Sequence, residues 1–183
     1  MNRLASPAQL RASFFRWALF LVPLVMLLGF LSGQFGGDAG SAWFQALEKP
    51  AIFPPPMWFG IVWSVLYLLM GLSFALVCSA WGARWRGPAI IAFIVQLAVN
   101  LAWTPIFFGA HEIGTAFWVI VVLDVLVLLT IWLVWKVRRL AAYLLLPYLA
   151  WILFATLLNW QFWQMNPDAS ALEPDNSVQR IEL

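Results

Sequence analysis

Five stretches of the chain run for about twenty residues, and the only charged side chain within them is Asp124. A helix needs roughly 20 apolar residues to cross a bilayer, where it satisfies its own backbone hydrogen bonds. Charged residues make up 10% of the sequence, against about 25% in soluble domains. We therefore predict an all-α integral membrane bundle of five transmembrane helices. The predicted spans are 17–35, 57–81, 89–108, 115–135 and 140–163.

Basic residues lie mostly on one side of the predicted bundle. Eight of the ten Lys and Arg residues precede the first span or follow the second and the fourth. The positive-inside rule then places the N-terminus in the cytoplasm and the first loop and C-terminus outside, which favours a cell inner membrane. The first span could instead be a signal peptide, but its length and the weak cleavage pattern at 40–42 favour a retained helix.

The chain divides into a cytoplasmic N-terminal segment 1–16, a transmembrane domain 17–165 and a polar tail 166–183. The tail carries two prolines and five charges, so we expect it to be disordered. The net charge of +2 and the scattered basic residues do not indicate a nucleic-acid partner, whereas the apolar spans make the lipid bilayer a partner.

Three predicted helices carry aromatic and polar side chains at helical spacing. Polar amides in a membrane span are costly unless paired, so these faces should point into the bundle. They could simply hydrogen-bond helices together, or they could wall a ligand cavity. The faces consist of Trp63, Tyr67 and Met70; Gln96, Asn100 and Trp103; and Tyr148, Trp151, Ala155 and Asn159.

Most of the thirteen tryptophans lie near the ends of the spans, where membrane-interface anchoring explains them. Trp63 and Trp151 lie deeper, so each is either core packing or part of an aromatic wall for a flat ligand. Asp124 is costly in mid-span. It is either functional, or protonated and bonded to a neighbouring helix.

Small residues at four-residue spacing allow two helices to approach closely. Such pairs join Gly29 to Gly33, Gly33 to Gly37, and Ala98 to Ala102. Each could serve packing within the bundle or the seam of a dimer.

Residues for conventional catalysis are few. The single histidine, His111, and the single cysteine, Cys78, provide neither a metal site nor a nucleophile with a base. A Gly-rich phosphate loop is also absent from the sequence. We therefore expect no metal and no cofactor, and a hydrolase, kinase or metalloenzyme is not indicated.

The chain resembles the tryptophan-rich sensory protein and translocator protein family, known as TspO in bacteria and as the peripheral benzodiazepine receptor in mitochondria. The matching motifs occur in a fixed order over about 17–166. They are Trp43-Phe44; Lys49-Pro50 with Pro54-Pro55; Trp63-Ser64-Val65-Leu66-Tyr67 with Met70-Gly71; Gln96-Leu97 with Asn100; Trp103-Thr104-Pro105-Ile106-Phe107-Phe108-Gly109; Pro147-Tyr148-Leu149-Ala150-Trp151; and Phe154-Ala155-Thr156 with Leu158-Asn159.

This resemblance implies a five-helix bundle, often a homodimer, with an internal pocket beneath the first loop. It also implies ligands such as protoporphyrin IX, haem, sterols and benzodiazepine-type compounds. Residues that match the family's pocket are Trp43, Pro54, Trp63, Asn100, Trp103, Trp151 and Ala155. We add Tyr67, Gln96 and Tyr148 from the helical faces. The tryptophans matching Trp63 and Trp151 are implicated in light-dependent porphyrin degradation in some bacterial relatives.

Two sequence departures and Asp124, which has no family role, limit the resemblance. Ile52 stands where the family usually has Trp or Phe after Lys-Pro, so the first loop should contact ligand differently. Residues 158–164 lack the Tyr and the basic residue of the sterol-recognition pattern, which argues against sterol binding.

Three functions follow as hypotheses. The first is binding of porphyrin-like ligands for transport, sensing or regulation of tetrapyrrole metabolism. The second is light-dependent porphyrin breakdown, and the third is regulation of a membrane partner through the small-residue faces. Because proline restricts the backbone, the proline-rich stretch 48–58 is predicted to form a stiff lid over the pocket.

Overall fold

The computed structural model describes residues 7–37 and 39–169 of the chain, and these residues form helices and connecting loops without a strand. Five of the helices are long and apolar enough to span a membrane, which confirms the predicted all-α bundle. The helices are α1 (Pro7–Phe35), α2 (Ala42–Ala46), α3 (Met57–Cys78), α4 (Arg86–Thr104), α5 (Ile113–Val137), α6 (Arg139–Leu144) and α7 (Leu146–Met165).

The spanning helices pack in a ring. Helix α1 packs along α3, α4 packs along α5, and α5 also packs along α7. Close approach of α1 and α3 depends on two glycines. Gly71 lies against the backbone of Val22, and Gly29 lies against the ring of Tyr67. The first span is thus an integral part of the bundle.

Helix α1 begins ten residues before the predicted start at Trp17, so most of the segment 1–16 is helical. Hydropathy marks only the apolar part of a helix, and the added turns carry Arg11 and Arg16. Residues 1–6 lie outside the described residues. Helix α3 ends at Cys78, three residues before the predicted end at Trp81.

The predicted fifth span is broken at Leu145 into α6 and α7. Proline lacks an N–H and its ring clashes with the preceding turn of a helix, so Pro147 is suited only to the first turn of α7. Ser73 of α3 donates to the backbone oxygen of Ala141 in α6 at 2.8 Å, which ties the short helix to the bundle.

Helix α4 continues directly into a π-helical turn, Pro105–Gly109. Its wider hydrogen bond runs from the Ala110 N–H to the Pro105 oxygen at 2.8 Å. π-Helical turns occur often at functional sites because they redirect side chains out of the regular α-helical spacing. Here the turn holds Phe107 and Phe108, both of which line the central cavity.

Candidate functional site

A cavity of about 640 Å³ lies inside the bundle, at the end that the first loop covers. All five spans contribute to its walls. Its volume is within the range of roughly 300–1,000 Å³ typical of small-molecule sites. The lining formed by the described residues contains no charged side chain and no histidine, cysteine or methionine.

Aromatic rings make up much of the cavity wall. Trp63 stacks on Tyr67 within α3, with ring centroids 5.2 Å apart. Trp103 stacks on Phe107 at 4.9 Å, and Trp151 meets the edge of Phe59 at 5.7 Å. Three indoles therefore reach the cavity from three different helices. Such a wall favours a flat, apolar ligand that can stack on their faces.

A small set of hydrogen bonds fixes the polar groups of the cavity. The Tyr67 hydroxyl donates to Asn100 Oδ1 at 3.0 Å, joining α3 to α4. The Trp103 indole donates to Asn159 Oδ1 at 3.1 Å, and Asn159 Nδ2 donates to the Ile113 oxygen at 3.0 Å. The side-chain amide of Asn159 thus connects α4, α5 and α7. These hydrogen bonds hold the cavity walls in place without a ligand.

The indole N–H of Trp151 is different, because it is buried and has no acceptor among the described residues. Buried donors without a partner are uncommon in proteins, since each costs about 1–3 kcal/mol. Trp151 also lines the cavity. Because this nitrogen has no accessible surface, the cavity reaches other atoms of the indole and not its N–H.

The first loop, residues 36–37 and 39–56, covers one end of the cavity and contains α2. We call this loop the lid, and it includes most of the stretch 48–58 for which a lid was predicted. Ser41 begins α2, since its Oγ accepts from the Phe44 N–H at 3.2 Å. Lys49 completes its other end, because Nζ donates to the backbone oxygens of Phe44, Gln45 and Leu47 at 3.1–3.3 Å. The Phe44 oxygen also accepts from the Leu47 N–H at 3.3 Å, and the charged lysine adds a donor to the carbonyls at the end of α2, which stabilises it.

Trp43 anchors the lid instead of lining the cavity. It is 2% exposed, stacks on His111 at 4.2 Å, and donates from Nε1 to the Ala169 oxygen at 2.8 Å. Asn166 provides a second attachment between the lid and the residues after α7. Its Oδ1 accepts from the Glu48 N–H at 2.8 Å, and its Nδ2 donates to the Glu48 oxygen at 3.0 Å.

Residues 166–169, assigned to the polar tail from the sequence, are therefore packed against the lid. The segment 170–183, for which we predicted disorder, lies outside the described residues.

Six of the ten predicted site residues line the cavity, and four do not. Gln96 and Tyr148 share helical faces with lining residues but lie deeper, where the Tyr148 hydroxyl donates to Gln96 Oε1 at 3.0 Å. Pro54 lies in the lid outside the lining, as does Trp43. The six lining residues are Trp63, Tyr67, Asn100, Trp103, Trp151 and Ala155.

Several phenylalanines of the lining were not predicted as site residues. Phe53 lines the cavity and stacks on Phe59 at 5.3 Å, whereas the neighbouring Ile52 is exposed. The lid thus contributes an aromatic ring one residue after the position where Ile52 departs from the family pattern. Phe53, Phe107 and Phe108 come from a loop and a π-helical turn, which lack the α-helical periodicity that could reveal them. Phe59 and Phe162 lie in the regular helices α3 and α7, where helical spacing could have revealed them. The missed rings are Phe44, Phe53, Phe59, Phe107, Phe108 and Phe162.

Asp124 lies in the contact between α5 and α7 and does not line the cavity. It is 8% exposed, and Oδ2 accepts from the Thr156 hydroxyl at 2.8 Å. Among the described residues Oδ1 has no partner. This geometry favours the interpretation that the side chain bonds two helices together.

The small-residue pairs have separate roles. Gly29 contacts Tyr67, Gly33 faces open space in the cavity, and Gly37 has a φ of +87° in the turn after α1. This set serves the interior of the bundle. Ala98 and Ala102, by contrast, are exposed on the outer face of α4.

The TspO/MBR family model matches residues 20–164, which include the lid and all or most of every span. The chain belongs to the TspO/MBR family. It is an integral, multi-pass membrane protein, as its five apolar helices and this membership together establish.

Curated relatives match over most of their length. Protein CrtK of Rhodobacter capsulatus is 39% identical over 127 residues, which cover 69% of this chain and 79% of the relative. The human translocator protein is 37% identical over 140 residues, covering 75% and 82%. A tryptophan-rich sensory protein of Cereibacter sphaeroides is 36% identical over 132 residues, covering 70% and 82%. The TspO/MBR fold thus extends across the whole cavity.

Proposed function

We propose that this TspO/MBR protein binds a tetrapyrrole, with protoporphyrin IX as the leading ligand, for transport, sensing or regulation of tetrapyrrole metabolism. The observation that carries the proposal is the cavity walled by the indoles of Trp63, Trp103 and Trp151. A porphyrin is flat, largely apolar and aromatic, so its faces can stack on these rings.

The polar groups of the cavity support an orientation for the ligand. Gln34, Ser41 and Thr104 line the end beneath the lid. They would hydrogen-bond the two carboxylates of a porphyrin, while the macrocycle occupies the aromatic part.

Metal-free protoporphyrin fits the lining better than haem does. Haem iron is usually held by His, Cys, Met or Tyr. The described lining has no His, Cys or Met, and its one tyrosine, Tyr67, already donates to Asn100.

The first test is a titration of the purified protein with protoporphyrin IX, followed by quenching of tryptophan fluorescence. We expect saturable quenching that Trp151→Phe weakens, because the smaller phenyl ring offers less surface for stacking on the porphyrin. Trp118→Phe is the matched control, since Trp118 is exposed on the outside of the bundle. Equal quenching in both variants and the wild type would place the porphyrin elsewhere.

The cavity indoles also favour a second candidate function, light-dependent breakdown of the bound porphyrin. These two functions can be separated by illuminating the complex under air and measuring the porphyrin absorbance over time. If the protein is a carrier or sensor, the porphyrin extracted from the complex is unchanged. If the protein degrades the porphyrin, the porphyrin absorbance falls faster in the wild-type complex than in the Trp151→Phe complex.

We further propose an inner-membrane location with the basic end of the bundle in the cytoplasm. That end carries Arg11, Arg16, Arg84, Arg86, Lys136, Arg138 and Arg139. The exposed Ala98 and Ala102 support a homodimer in which the outer face of α4 packs against its copy.

A further inference from the structure

The basic end of the bundle contains a second cavity, of about 400 Å³, between α1 and the connection that follows α3. It shares no lining residue with the central cavity. Along α1, thirteen residues separate Arg16 from Gly29, which corresponds to about 20 Å. The cavity is lined by Ser13, Arg16, Trp17, Phe20 and Trp81.

The electrostatic environment of this basic cleft, as we call the second cavity, favours an anion. Seven of the described Lys and Arg residues lie at this end of the bundle, and none of the four described acidic residues does. The Arg16 side chain forms neither a hydrogen bond nor an ion pair with another described residue. Its guanidinium is therefore available to a ligand.

The position of the aromatic side chains is also informative. Arg86 lies over the Trp81 ring at 4.0 Å and donates from Nε to the Cys78 oxygen at 3.0 Å. These contacts hold Trp81 in place although it is 66% exposed. A fixed, exposed indole next to an unpaired guanidinium gives the cleft one apolar wall and one cationic wall.

Phe20 lies one turn further into the membrane than Arg16 and is 61% exposed. The cleft therefore runs from charged groups at the end of the bundle to an apolar surface that faces the hydrocarbon region. An anionic phospholipid has the same order of groups, with a phosphate followed by glycerol and acyl chains. Basic pockets at the cytoplasmic ends of membrane helices bind such head groups.

We propose that the basic cleft is a binding site for one anionic phospholipid of the surrounding bilayer. Arg16 pairs with the lipid phosphate, and the Ser13 hydroxyl, in a residue 8% exposed, donates to it. Trp17, Phe20 and Trp81 contact the glycerol and the upper acyl chains. The site is independent of the tetrapyrrole proposal.

The experiment measures retained lipid by native mass spectrometry. Protein is equilibrated with detergent micelles containing equal amounts of phosphatidylglycerol and phosphatidylcholine. We expect the wild type to retain one phosphatidylglycerol in preference. Arg16→Gln should reduce this preference about fivefold, which corresponds to roughly 1 kcal/mol for one basic residue at an anionic surface. Arg16→Lys should keep most of it.

Arg139→Gln is the matched control, because Arg139 is a basic residue of the same end that lies outside the cleft. We expect it to leave the lipid preference unchanged. Equal losses in the two Gln variants would show a diffuse electrostatic effect and overturn the site, as would a wild type without preference. Inorganic phosphate added alone should not displace the lipid, and displacement would assign the cleft to a free anion instead.

Discussion

Replacing Gly29 with alanine tests how the bundle positions the cavity wall. A Cβ at this position would overlap the ring of Tyr67, so the ring would have to move. Tyr67 donates to Asn100 and stacks on Trp63, and its movement would therefore disturb two lining residues at once. Gly33, one turn further along α1, is the matched control, because its Cβ would meet open space.

The magnitude follows from three contributions to the free energy of unfolding. Overpacking costs about 1–3 kcal/mol, and loss of the Tyr67 hydrogen bond costs about 0.5–1.5 kcal/mol. The higher helix propensity of alanine returns about 1 kcal/mol. This last contribution is common to both variants. Gly29→Ala should thus be less stable than Gly33→Ala by roughly 1.5–4.5 kcal/mol.

The assay is reversible unfolding of both variants in mixed micelles of increasing sodium dodecyl sulfate content, followed by helical circular dichroism. Protoporphyrin titrations of the folded proteins accompany it. We expect Gly29→Ala to unfold at a lower fraction of denaturing detergent than Gly33→Ala, and to bind the porphyrin more weakly than the wild type does. Gly33 lines the cavity, so its alanine variant is the control for stability and not for binding. Equal stability of the two variants would refute the packing of Gly29 on Tyr67 and, with it, the described cavity wall.

Three further changes test the lid, the acid and the dimer. Asn166→Ala removes two hydrogen bonds to the lid, so protoporphyrin should dissociate faster in stopped-flow measurements, while Gln164→Ala, at an exposed site, should not change the rate. Asp124→Asn should leave porphyrin affinity unchanged across pH, because Asn can still accept from Thr156; a shifted pH profile would contradict this structural role. Ala98→Trp should convert a dimer to monomer in analytical ultracentrifugation, and an unchanged mass would exclude this face of α4 as the seam.

The spans could be predicted because a bilayer requires long apolar helices, and the sequence shows them directly. The ends of the helices could not. Helix α1 extends into the charged segment before Trp17, where hydropathy no longer reports on helix formation. The break at Leu145 accompanies a proline that hydropathy alone treats as part of a continuous span.

Helical spacing identified the side of each helix that faces the interior but did not set the depth of a residue. Trp151 and Tyr148 lie on the same side of α7, and only Trp151 reaches the cavity, since Tyr148 is bonded to Gln96. Lid residues were harder still. The resemblance pointed to Trp43 as a pocket residue, yet its partners are His111 and Ala169, contacts that depend on how three distant segments meet.

The central claim is that the cavity indoles hold a tetrapyrrole. The most direct measurement is the dissociation constant of protoporphyrin IX for the Trp63→Phe, Trp151→Phe double variant, compared with a double variant in which the exposed Trp118 and Trp160 become Phe. Loss of stacking surface at two positions should weaken binding by about 1–3 kcal/mol, which corresponds to roughly fivefold to a hundredfold. We expect this loss in the cavity variant alone, with the exposed variant binding like the wild type. Wild-type affinity in the cavity variant would contradict the account.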